Sequence, residues 1–312
     1  MPFTRRASAA SPAIVDAPKA PVRVVARTFP PGSEWLYAKL YTGTATADRV
    51  LSEELAPLAS EAVASGAARR WFFIRYAESG WHLRVRFHGD PRMLRERVQP
   101  ALDDMARRLV DAGIVWKVQL DTYEREVERY GGPEAIELAE EIFHRDSEAV
   151  LALLESCSGD AGSDLRWQLM VAGIDRLYAD FGFDLQARLR LAERSRDAYG
   201  RQFQYDRLRE PLANRFRRDR APLLRLLEGG VPIPALDRRS AAIVPIVREL
   251  ASRRLQSPLA AIVPSIVHMF VNRLSRSAGP EHEMVLYDYL VQSYRSRIAR
   301  ESKGAAARAA EG

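Results

Sequence analysis

Three short stretches carry side chains whose types and spacing could do chemistry. In WHLRVRFHG (81–89), His82, Arg84, Arg86 and His88 occupy every second position, with Trp81, Leu83, Val85 and Phe87 between them. Side chains alternate across an extended chain, so a strand here shows one cationic and one apolar face. Arginines at i and i+2 project in parallel, and each guanidinium can grip a carboxylate through two N–H bonds. A solvated outer sheet face also accounts for the row, but four cations with no acid beside them repel one another unless an anion is near.

The second stretch is DTYEREVERYGG (121–132). Arg125 and Arg129 stand four residues apart, as do Glu124 and Glu128, so a short helix would carry self-paired charges. Alternatively, an arginine that directly follows a strand can swing toward a pocket at the sheet's end, with Gly131 and Gly132 closing the element. The third is SIVHMFVNRLS (265–275). Ser265, His268, Asn272 and Ser275 are spaced three, four and three, one polar stripe on an otherwise apolar helix. Buried polar groups need partners, so His268 is either a structural histidine held by Asn272 or a carbonyl, or a catalytic one. His144 and His282 are expected on polar helix surfaces.

The elements that must position these residues follow from periodicity. EWLYAKLY (34–41) alternates as a strand, and a helix is expected from about Ala47 to Gly66. RWFFIRY (70–76) and WHLRVRF (81–87) flank the loop AESG as a hairpin. A helix over 91–112 precedes a third alternating run, IVWKVQLDTY (114–123). From Pro133 onward the pattern is helical, cut at 156–164, 229–234 and 277–281. The fold class is therefore α+β: a small antiparallel sheet with helices in the first 130 residues or so, then a mostly helical layer. Residues 1–32, rich in Ala, Pro and Ser, read as a disordered or extended arm with one docked segment at 22–27; 301–312 reads as a flexible tail, either a frayed helix end or disordered, leaving a single domain over 33–300.

Composition removes several functions. The 312 residues carry 47 basic and 41 acidic groups, a net charge of +6, but arginine and glutamate are interleaved rather than gathered into a basic block, which disfavours direct nucleic-acid binding. Cys157 is the only cysteine, so neither an intrachain disulfide nor a cysteine-built zinc site can form. No secretion signal is legible, and the apolar run 259–271 is too short to span a bilayer, so a cytoplasmic protein without membrane contact is expected. Walker A, G-x-G-x-x-G, H-E-x-x-H and G-x-S-x-G patterns are absent.

Taken together and in this order, EWLYAKLY, FFIRYAESGWHLRVRFHG, DTYEREVERYGG and SIVHMFVNRL resemble the C-terminal elimination domain of class I lanthipeptide dehydratases, the thiopeptide-type bacteriocin biosynthesis domain. The resemblance runs from about residue 33 to 300. It implies a lyase that expels glutamate from glutamylated Ser or Thr of a precursor peptide, leaving dehydroalanine or dehydrobutyrine, without metal or organic cofactor. Arg84, Arg86 and Arg125 match the family's glutamate-handling arginines. His268 matches its catalytic histidine, as base for the α-proton or as acid for the leaving group. His82, Ser265, Asn272 and Arg129 are expected to touch substrate. The larger glutamylation domain of full-length enzymes is not in these 312 residues, which implies a free-standing form served by a separate tRNA-dependent glutamylating enzyme.

Two other readings remain open. A sister enzyme on the same scaffold forms a pyridine ring by [4+2] cycloaddition, for which Tyr287, Tyr289 and Tyr294 are candidates. A subunit that only presents the precursor peptide is the other. Exposed sheet edges leave room for a homodimer.

Overall fold

The computed structural model describes residues 24–157, 160–203, 205–276 and 280–311. Strands β1 (Thr28–Phe29) and β2 (Trp35–Tyr41) open the fold. Helix α1 (Thr44–Arg49) passes through a π-helical stretch, Val50–Leu55, into α2 (Ala56–Ala64). Next come β3 (Arg70–Tyr76) and β4 (His82–His88), then α3 (Pro91–Met93), a second π-helical stretch at Leu94–Val98, and α4 (Gln99–Asp111). Two short strands follow, β5 (Lys117–Leu120) and β6 (Tyr123–Glu124). The rest is helical: α5 (Ile136–Glu155), α6 (Asp160–Asp180), α7 (Leu185–Gln202), α8 (Tyr205–Leu227), α9 (Pro234–Ser252), α10 (Leu259–Leu274) and α11 (Pro280–Glu311). The architecture is α+β, as expected.

The main sheet is antiparallel in the order β3-β4-β2-β5. Its register sets Arg86 between Tyr37 and Phe72, Arg84 between Lys39 and Ile74, and His82 between Tyr41 and Tyr76. On the opposite face Leu36, Leu40, Trp71, Phe73, Leu83, Val85 and Phe87 are buried in the core. The period-two reading of both faces therefore holds.

Two local expectations are corrected. Thr28–Phe29, inside the supposed arm, pairs with β6, and the Phe29 ring stacks on Tyr123 at 5.9 Å. Burying that ring starts the folded chain before Glu34; residues 1–23 lie outside the described residues. At the other end α11 runs to Glu311, the helix-end alternative for the expected tail. The segment after Tyr123 is not one short helix either: Tyr123–Glu124 is strand, Glu128–Tyr130 is a 3₁₀ turn, and Gly131 ends it at φ 97°. That backbone needs glycine, and a Cβ at Gly131 would also stand 2.6 Å from Ile262 Cδ1 on α10.

The free edge of β3 is closed by helix side chains rather than by another strand. Asn272 on α10 accepts from the Arg75 amide and donates to the Arg75 carbonyl, both at 2.9 Å. Arg273 Nε donates to the Phe73 carbonyl at 2.8 Å, and Arg75 Nε donates to the Arg273 carbonyl at 2.8 Å. On α5, His144 Nδ1 stands 3.1 Å from the Trp71 carbonyl. His144 is therefore buried (1% exposed), not on a polar helix surface, because the sheet edge needs its polar atom.

Candidate active site

The cationic face of β4 does not meet open solvent. With Tyr37 and Lys39 of β2, Ile74 and Tyr76 of β3, residues 121–124, Glu126, Arg129 and Tyr130 of the segment after β5, and His268, Met269 and Asn272 of α10, Arg84 and Arg86 line a cavity of about 580 Å³. Strand pairing supplies the floor, the glycine-ended 3₁₀ turn a wall, and α10 the roof.

Arg86 is the most unusual member. It is buried (7% exposed), and its guanidinium carbon lies 4.3 Å from the Tyr37 ring, 4.7 Å from Tyr123 and 5.3 Å from Phe72. No carboxylate pairs with it among the described residues, and Nε has no hydrogen-bond partner. Burial pushes its pKa down from the usual arginine range. Aromatic faces offset part of the desolvation, but a buried cation without a counter-ion is poised for an anion.

Arg84 is aimed by its neighbours. Its guanidinium carbon sits 3.3 Å from the Tyr76 ring centroid, and its Nε donates to His82 Nε2 at 3.2 Å. His82 Nδ1 is 2.8 Å from the Gly80 carbonyl, so Nδ1 carries the proton and the ring is neutral. Burial, with the nearby cations, holds the His82 pKa below its ordinary value. His82 is packed between Tyr41 and Tyr76 and lies behind Arg84, off the cavity wall.

His268 lines the opposite side. Its Nδ1 is 2.5 Å from Glu283 Oε1, and Tyr199 donates to Glu283 Oε2 at 3.0 Å. A carboxylate only accepts, so Nδ1 holds a proton, and Nε2 has no protein partner among the described residues. Glu283, side chain 5% exposed, thus orients the imidazole from α11. Asn272 does not hold His268; it is spent on Arg75.

Of the other expected residues, Arg129 lines the cavity, with Nη1 3.0 Å from Glu126 Oε2 and Nε 3.4 Å from Ser265 Oγ. Ser265 reaches the site only through Arg129. Asn272 lines it with both amide atoms engaged. Arg125 is not on the wall: Nε and Nη2 donate to Glu140 at 2.6 and 2.7 Å, and Nη1 donates to the Ala26 carbonyl at 3.1 Å. Glu140, fully buried, also accepts from Tyr123 and Arg70 at 3.0 and 3.1 Å, so Arg125 sits in a structural hub.

Sequence reasoning missed Lys39, Asp121 and Glu283. Lys39 was findable, since it alternates with Tyr37 and Tyr41 on the face that pairs with Arg84. Lys39 forms an ion pair with Asp121, which holds the Asp121 carboxyl below the usual carboxylate range. Glu283 gave no signal, because its helix meets α10 only in three dimensions. Among the described residues no group of three or more His, Cys, Asp or Glu is placed to hold a metal ion.

Among the described residues, the sheet thus carries Arg84 and Arg86 without carboxylate partners beneath a carboxylate-held histidine, roofed by helices. The chain belongs to the family described as lantibiotic biosynthesis dehydratase C-term, whose model matches residues 35–294. It is 26% identical over 252 residues to the subtilin biosynthesis protein SpaB of Bacillus subtilis, covering 78% of this chain and 24% of that protein. To the nisin biosynthesis protein NisB of Lactococcus lactis subsp. lactis it is 30% identical over 133 residues, 43% of this chain and 13% of NisB. Its fold is similar to the tRNA dependent lantibiotic dehydratase MibB from Microbispora sp. 107891, with TM-score 0.69, 25% identity, and coverage of 86% of this chain and 29% of MibB. The pyridine synthase TbtD from thiomuracin biosynthesis shares the fold at TM-score 0.64 and 16% identity, over 85% of this chain and 98% of TbtD. The chain spans less than a third of the length of SpaB, NisB and MibB.

Proposed function

We propose that this domain eliminates glutamate from glutamylated Ser or Thr side chains of a precursor peptide, giving dehydroalanine or dehydrobutyrine. The observation that carries the reading is Arg86: a buried guanidinium, walled by aromatic rings and with no carboxylate partner among the described residues, facing the same cavity as His268.

His268 Nε2 takes the α-proton. The electrons of that C–H bond form the Cα=Cβ double bond, the Cβ–O bond breaks, and its electron pair leaves on the glutamate carboxylate. Negative charge then concentrates where Arg84 and Arg86 point, and fixed donors at such a position contribute about 10²–10³ in rate. Glu283 keeps the imidazolium paired until the proton is passed on. Arg129 and Lys39 are further cations within the cavity that could hold the ionised side-chain carboxylate of the glutamyl group. Arg125 supports the floor through Glu140 and takes no part in contact.

The ester must be made first, so a tRNA-dependent glutamylating activity and the precursor peptide are the proposed partners, and glutamyl-tRNA places the reaction in the cytoplasm. No helix among the described residues is long and apolar enough to cross a membrane. The cycloaddition reading is favoured only by the shared fold. Tyr287, Tyr289 and Tyr294 are all buried off the cavity, with Tyr289 donating to Asp219 at 2.9 Å and Tyr294 to Asp175 at 2.8 Å.

The test is a mass spectrum of a glutamylated precursor peptide after incubation with the purified protein. Loss of the glutamyl adduct to a dehydrated product supports elimination. An adduct that persists, together with cyclisation of a peptide already bearing dehydroalanines, overturns it in favour of the pyridine synthase.

A further inference from the structure

The cavity holds an acid that a site for carboxylates alone would not want. Asp121 lies at the end of β5, its backbone amide donating to the Tyr37 carbonyl at 3.0 Å and its Oδ1 accepting from the Thr122 amide at 2.8 Å. Those bonds fix its carboxylate on the wall shared by Lys39, Arg84 and Arg86. Its side chain is 32% exposed, against 60% for Glu126, which is drawn to Arg129 at the rim. Asp121 pairs with Lys39, which the sheet register sets directly beside Arg84. An anion in this wall weakens the attraction of every cation near it for a carboxylate, so its presence calls for a positive group on the ligand.

The proposed substrate has one. An amino acid delivered by tRNA is transferred through its α-carboxyl, so the glutamyl ester keeps a free α-amino group beside its side-chain carboxylate. We propose that Asp121 binds the α-ammonium of the glutamyl group while Lys39, released from Asp121, turns to the side-chain carboxylate. This rests on the elimination reading and assigns the wall a selectivity that the arginines cannot provide. The empty cavity's Lys39–Asp121 pair is the complement of an amino-acid zwitterion: exchanging partners turns one ion pair into two, with no charge left unpaired. An ester lacking the amino group leaves Asp121 facing the ligand with nothing to hold.

The experiment uses two synthetic precursor peptides bearing the same serine ester, one glutamyl and one glutaryl, which differs only in lacking the amino group. With wild-type protein the glutamyl peptide is expected to be eliminated with a kcat/KM at least about tenfold higher. Asp121→Asn should bring the two within about twofold by slowing the glutamyl peptide alone, and Asp121→Glu should recover part of the preference. Because the readout is a ratio of two substrates on one sample, a partly unfolded variant does not distort it. Equal rates for the two esters with wild-type protein, or a preference unchanged in Asp121→Asn, overturn the proposal and leave elimination standing. Inertness of the wild type toward both esters overturns the elimination reading and this one with it.

Discussion

Arg125 and Glu140 are joined by two hydrogen bonds of 2.6 and 2.7 Å, sealed inside the protein, whereas Arg86 a short way along the same aromatic wall has no carboxylate partner among the described residues. Two arginines that look alike in sequence thus have opposite fates. One has spent its charge on the fold, and the other lines the cavity with no carboxylate partner among the described residues.

Removing the first should therefore read as instability. Arg125→Ala leaves Glu140 buried with a lost partner and is expected to cost about 3–5 kcal/mol. Elimination should fall in step with the folded fraction, as thermal unfolding and the peptide assay measured together would show. Wild-type melting with lost turnover would instead put Arg125 in contact with substrate.

Arg86 should behave the other way. Arg86→Met fills the same aromatic slot without a charge to desolvate, and a gain of about 1–3 kcal/mol is expected alongside loss of elimination. Denaturant melts set against turnover check the exchange. A clear loss of stability would mean that Arg86 has a structural partner after all.

His268→Ala should slow elimination by about 10²–10⁴-fold and let the glutamylated peptide accumulate. Glu283→Gln keeps an oxygen for Nδ1 but not its charge, and a loss of about tenfold or more in kcat with little change in KM is expected. Single-turnover mass spectrometry separates these. Unchanged kcat in Glu283→Gln would reduce the carboxylate to a packing role.

His88 should govern acid stability. Burial, helped by Arg70 and Arg69, pushes its pKa down to about 3, against an ordinary 6.5 when unfolded. Between those values the unfolded chain binds a proton that the folded one refuses, so stability is whole above pH 6.5 and drains as pH falls toward 3. The slope from this group is up to about 1.4 kcal/mol per pH unit. His88→Gln should flatten it in denaturant melts taken from pH 7 to pH 4, and an unaltered slope would assign the acid sensitivity to other groups.

The sheet and both faces of β4 were legible because period-two alternation is a local property, but the hairpin loop was not: Tyr76 pairs with His82, so the loop takes in Trp81 beyond AESG. Helix boundaries were less so. The breaks at 181–184 and 253–258 went unseen, although Asp184 caps α7 by accepting from the Ala187 amide at 2.7 Å and Pro258 precedes α10. The assignment of charges was the least legible part. Arg84, Arg86, Arg129 and His268 do share one cavity, but nothing in the spacing of DTYEREVERYGG says that Arg125 turns toward Glu140 on α5. Nor does any local pattern join His268 to Glu283, fifteen residues on and on the next helix. Such partnerships are tertiary, decided by which side of a strand a neighbouring helix happens to cover.

The side-chain closure of the β3 edge carries one more consequence. Asn272 lies one helical turn after His268, so the two hydrogen bonds that it makes to Arg75 index the roof against the floor like a pin through two plates. The Arg75 amide proton is thereby a built-in gauge. Its exchange with deuterium can occur only when the pin is drawn, so its protection measures, without any substrate present, how often the two sides of the cavity part company.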